Sequence, residues 1–79
     1  MTARENPVEK TLEAHVGDYK VYSCRQDQYG KKVLWVQTEL HGALQGSGWF
    51  QFNLSPEDEA KFVKKSVASR VRKLKKAIV

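Results

Sequence analysis

One cysteine, two histidines and two prolines are all that 79 residues supply of these types. Cys24 has no partner within the chain, so no disulfide can staple the fold. A single unpaired thiol also suits a reducing compartment. Cys24, His15 and His41 stand far apart without ligand spacing, which excludes a zinc cluster built from them. No cofactor is expected. No run approaches the roughly 18 apolar residues that span a membrane, so no membrane association by a span is expected. Met1–Pro7 lacks the apolar stretch of a signal peptide, and a cytoplasmic or nucleoid-associated setting follows. Also missing are a nucleophile with its base and orienter, and any paired-carboxylate pattern. The glycines from 42 to 48 lead into a strand and lack the Lys-Ser/Thr end of a phosphate-binding loop. The chain is therefore expected not to be an enzyme.

What is present is charge, unevenly placed. Up to Glu59 there are six Lys/Arg and nine Asp/Glu; from Ala60 to Val79 there are eight Lys/Arg and no acid. The last quarter is a cationic element on a slightly acidic body. Such a field draws polyanions: nucleic acid, anionic lipid or an acidic protein surface. The competing reading is an ordinary solvated helix face. A chain this short makes one domain with a limited core. Pairing with a second copy, a homodimer, is the expected source of extra stability.

Residues 1–7 read as a polar, disordered N-terminus and residues 8–79 as one domain. From Val8 to Val16 apolar and polar residues alternate, Val8, Leu12, Ala14 and Val16 against Glu9, Thr11, Glu13 and His15. That is strand spacing, although Val8, Leu12 and Val16 also fit a helix that Pro7 could open. Gly17-Asp18, suited to a tight type II′ hairpin turn, and the β-rich run from Tyr19 favour the strand. Tyr19–Arg25 reads as the second strand, Asp27–Gly30 as a turn with Gly30 left-handed, and Lys32–Leu40 as the strongest strand. His41–Gly48 reads as a mobile connection and Trp49–Leu54 as the fourth strand. Ser55-Pro56-Glu57-Asp58 marks a helix start: a capping hydroxyl, proline at the first helical position, and acids at the positive end of the dipole. The helix should run to about Ala77. The fold class expected is α+β, a four-stranded antiparallel sheet followed by one long C-terminal amphipathic helix.

Alternation assigns the faces. Leu34, Val36, Thr38 and Leu40, with Phe50, Phe52 and Leu54, form the uniformly apolar sets that should meet the helix. Trp35 and Trp49 then fall on the outer face among Gln37, Gln51 and Asn53, joined by Lys20 and Tyr22. Aromatics interleaved with amides and a cation suit the stacking of unpaired bases, or else closure by a partner subunit. On the helix, Ala60, Val63, Val67, Val71, Leu74 and Ile78 form the apolar stripe. Lys61, Lys65, Arg72 and Lys76 lie opposite, and Phe62 falls outside the stripe.

The stretch Gly30–Leu40, a glycine-containing loop, and Trp49–Asp58 opening a helix that closes on Val71-Arg72-Lys73-Leu74 together resemble the positive-cofactor-four family. That family comprises transcriptional coactivators and their bacterial and phage single-strand-binding relatives. The resemblance covers about residues 9–76. It implies a homodimer that lays curved sheets against single-stranded DNA. By position, Tyr22, Arg25, Lys31, Lys32, Trp35 and Trp49 would be the contacts. The family's sheet is rich in lysine, whereas here the positive charge has moved to the helix and Glu39 sits on the binding face.

Two functions are therefore carried forward. The first is a nucleic-acid-binding module, single-stranded DNA favoured and RNA possible, with Tyr22, Trp35 and Trp49 stacking bases. Its phosphate contacts would come from basic residues including Lys61, Lys65, Arg72 and Lys76. The second is a small protein-binding regulator that docks its basic helix or sheet on an acidic partner.

Overall fold

A computed structural model describes residues 6–45 and 50–77. Three long strands, β1 (Glu9–Val16), β2 (Tyr19–Gln28) and β3 (Lys31–Leu40), form an antiparallel meander. Two short stretches, β4 (Ala43–Leu44) and β5 (Gln51–Phe52), both pair with β3, and α1 (Pro56–Ala77) follows. This is the α+β class expected, an antiparallel sheet and then one C-terminal helix.

The turns follow from backbone chemistry. Gly17 alone takes a left-handed φ (+58°) between Val16 and Tyr19, as a type II′ turn requires. Tyr29 and Gly30 (φ +50° and +79°) close β2 on β3, both left-handed, as in a type I′ turn. The left-handed Gly30 matches expectation, but β2 continues to Gln28, past Arg25, because Asp27 and Gln28 still pair with Lys32 and Lys31. His41 and Gly42 repeat the two-residue pattern, so part of the expected connection already pairs, Ala43 with Leu40. Of the expected fourth strand, Trp49–Leu54, only Gln51–Phe52 is strand among the described residues, and β4 is an additional short strand within the expected connection.

Two expectations about side-chain direction are corrected. In β1 a bulge between Leu12 and Ala14 adds Glu13, whose Oε2 accepts the Ser23 hydroxyl at 2.6 Å. Ala14 and Val16 therefore point to the helix, while Leu12, opposite Tyr22, points away and is half exposed. In the last strand Gln51 pairs with Leu34 and Phe52 with Val33. Leu34 faces the helix, so Gln51 does too and Phe52 faces out, the reverse of the alternation argument. The cause is the pairing itself: Phe52 stands opposite Val33 on the outer side. The two extra residues between the β4 and β5 pairings (six, 45–50, against four, 35–38, in β3) shift the register without changing the face.

α1 lies across β1, β2 and β3 on one face only. Its start is the expected cap: Ser55 Oγ accepts the Asp58 amide at 3.2 Å, and Ser55 O accepts the Glu59 amide at 2.8 Å. The core gathers Val16, Val21, Val36 and Leu74, with Ala14, Tyr19, Phe62, Val67 and Val71 packed against it. Phe62 thus belongs to the core side, and Ala60 is exposed instead. Ile78 lies outside the described residues. The rotation has an electrostatic cause as well as the bulk of Phe62. Buried Glu59 turns toward the sheet, pairing with Lys32 Nζ at 2.8 Å and Arg25 at 3.8 Å. Arg25 Nε is buried without a hydrogen-bond partner, so this cation leans on Glu59. Both cations keep partial solvent access, which moderates the coupling. Glu59→Ala should cost about 1–3 kcal/mol of stability in urea unfolding, and Glu57→Ala, exposed in the same turn, less than about 1.

Candidate nucleic-acid interface

The face of the sheet turned away from α1 carries the aromatics. Trp35 is half-buried there; its ring meets Phe50 at 5.5 Å between centroids with a 45° tilt. Phe50 and Phe52 are 55% and 56% exposed, far more than a core phenylalanine allows. The Lys31 ammonium stands 5.9 Å from the Phe52 ring centroid, and the Lys10 ammonium 4.5 Å from that of Tyr22. Aromatic planes thus alternate with cations along one surface.

Polar groups fix the middle of this face. Trp35 Nε1 donates to Gln37 Oε1 at 3.3 Å, and the Cys24 thiol lies 3.9 Å from the same oxygen. Gln37 Nε2 donates to Glu39 Oε2 at 2.6 Å, and Lys10 Nζ pairs with that carboxylate oxygen as well. The hydrogen bond from Lys10 holds the Glu39 carboxyl below its ordinary value and raises Lys10. Glu39 is therefore ionised at neutral pH. Burial pushes the Cys24 thiol up, away from thiolate chemistry.

The expected contact residues separate into three places. Tyr22, Lys31 and Trp35 share the outer face, as do Lys20 and Gln37. Arg25 and Lys32 project to the helix side and are engaged by Glu59. Lys61, Lys65, Arg72 and Lys76 are exposed on the back of α1, at spacings of four and seven that keep them on one side. Trp49 lies outside the described residues. The molecule's smallest extent is 16 Å, about two Debye lengths at physiological salt. Helix cations therefore act only weakly on a ligand held at the outer face.

Phe50, Phe52 and Lys10 were missed by sequence reasoning. The two phenylalanines were legible as strand residues, and only the register places them outside. Lys10 needed the bulge, which sets it opposite Cys24 on the outer side.

Hollows line both faces. One of 600 Å³ lies between α1 and the edge strand β1, with Ala60, Val63 and Val67 among its walls. Another, of 460 Å³, lies on the outer face beside Tyr22, Lys20 and Glu39. Among the described residues no group of three His, Cys, Asp or Glu is placed to hold a metal ion, and no helix is long and apolar enough to cross a membrane. No protein-family model, curated protein or solved structure matches the chain.

Proposed function

We propose that this protein binds single-stranded nucleic acid on the outer face of its sheet, stacking unpaired bases on Trp35, Phe50, Phe52 and Tyr22. One observation carries the reading: these rings share the face that α1 leaves uncovered, with Lys31 and Lys10 set beside two of them. Stacking on such rings tolerates any base and contributes roughly 1–3 kcal/mol per base, while lysines neutralise phosphates. The same reading includes the likeness to the positive-cofactor-four family and a dimer of the chain. The α1 cations act as a second, separate attraction that gathers the polyanion at low salt.

The experiment is a titration with a fluorescein-labelled 12-nucleotide strand, followed by anisotropy and tryptophan quenching at several salt concentrations, with a duplex control. If Lys10, Lys20 and Lys31 supply the phosphate contacts, log affinity should fall with log salt at a slope of about −2. A fourfold rise in salt then weakens binding about 20-fold, with tryptophan quenched and the duplex bound worse. The competing reading, contact through the eight cations of α1, predicts a slope near −5 or steeper, no quenching, and equal duplex binding. No binding at low salt overturns both and leaves docking on an acidic protein partner.

A further inference from the structure

We infer that the outer-face hollow beside Tyr22 selects unpaired bases that present an amino group, with Glu39 as the accepting residue. The inference rests on the single-strand reading above and names which bases that surface prefers. The hollow measures 460 Å³ and is walled by Leu12, Lys20, Tyr22, Glu39 and His41. Its volume falls within the roughly 300–1,000 Å³ of small-molecule sites, and its walls mix an apolar ring with convergent polar groups.

Two carboxylates line it: Asp18, exposed and facing His41 Nε2 at 3.7 Å, and Glu39, held within the sheet. On a surface meant for a polyanion, an ionised carboxylate repels phosphate and lowers affinity unless it meets something that donates. The position of Glu39 suits donors. Lys10 and Gln37 hold Oε2, which fixes the carboxylate plane, while Oε1 accepts no hydrogen bond among the described residues. The side chain is only 15% exposed, so a donor reaching Oε1 competes with little water. Lys20 stands opposite Glu39 in the β2–β3 pairing and supplies a cation at the rim for the attached phosphate.

Base chemistry then decides the preference. A carboxylate accepts from the N4 amino group of cytosine. Adenine N6 and guanine N1 and N2 offer equivalent donors. Thymine and uracil offer N3–H flanked by two carbonyl oxygens, which face the carboxylate with like partial charge. Glu39 thereby disfavours those two bases through repulsion, besides favouring the others through a bond. Stacking does not mimic this outcome for pyrimidines, because the extra methyl of thymine adds contact area and would favour thymine.

The test compares labelled (dC)12 and (dT)12 by anisotropy, with the wild-type chain and Glu39→Gln, at one low and one moderate salt concentration. The wild type should bind (dC)12 at least about fivefold more tightly, the low end of a single good base contact. Glu39→Gln should bind (dT)12 more tightly than the wild type does and bring the ratio close to one, since an amide both donates and accepts. Equal affinities in the wild type overturn the inference, as does a cytosine preference that survives Glu39→Gln. The wild-type ratio stands even if the variant folds poorly, which a thermal melt will reveal. Binding of neither strand at low salt removes the single-strand reading itself, an outcome distinct from binding without preference.

Discussion

Trp35→Ala should weaken binding of an unpaired 12-nucleotide strand by about 10- to 100-fold, while Trp35→Phe keeps most of the affinity. The magnitude follows from the roughly 1–3 kcal/mol that one stacked base contributes. Trp35 also organises its surroundings. Its ring packs on Phe50, and its Nε1 donates to Gln37, which in turn holds Glu39. Truncation therefore removes one stacking plane and releases a second ring that is already 55% exposed. A purely structural role predicts something else: lower melting temperature with unchanged affinity of the folded fraction. Measuring affinity well below the melting point of each variant separates the two. Phe52→Ala provides the parallel case, with a smaller loss, because phenylalanine offers less area than tryptophan. If Trp35→Ala binds as tightly as the wild type while four charge reversals along the back of α1 abolish binding, the sheet is not the contact surface.

The meander and the helix were legible in the sequence for local reasons. Val33 to Val36 are strong strand formers, Gly17 and Gly30 supply the left-handed φ that two-residue turns need, and Ser55-Pro56 caps the helix. Placing Trp35 and Tyr22 outside required only alternation within unbroken strands, and β2 and β3 pair without a bulge over their whole length. Alternation failed in two places. One extra residue at Glu13 moved Leu12 outside. In β5 apolarity alone placed Phe52 toward the helix, whereas pairing with Val33 turns it outward and Gln51, opposite Leu34, inward. The bulge has no local signature; Glu13 there meets the Ser23 hydroxyl from the neighbouring strand. Glu59 shows the same limit. Beside Glu57 and Asp58 it looks like one more acid for the helix dipole, and only the sheet beneath it reveals Arg25 and Lys32 as its partners.

Leu34→Ala tests the layer beneath the binding face and should cost about 2–5 kcal/mol. Leu34 is 1% exposed on the helix side of β3, paired with Arg25 on one neighbour and Gln51 on the other. Those partners are polar, and Arg25 is drawn toward Glu59, so they are ill suited to fill the apolar space a leucine leaves. A chain of 79 residues has a total stability on the order of 4–12 kcal/mol at about 0.05–0.15 kcal/mol per residue. The substitution therefore removes a large share of it, and the urea midpoint should fall accordingly. Leu44→Ala, at a position 62% exposed, should change stability by less than about 0.5 kcal/mol. Leu34 and Trp35 are adjacent in sequence but point to opposite faces of one strand, so their effects should separate. Under conditions where Leu34→Ala is still folded, its affinity for the unpaired strand should equal that of the wild type. A Leu34→Ala protein as stable as the wild type would mean that the helix does not pack on this face as described. A folded variant with weakened binding would mean that the two faces of β3 are coupled.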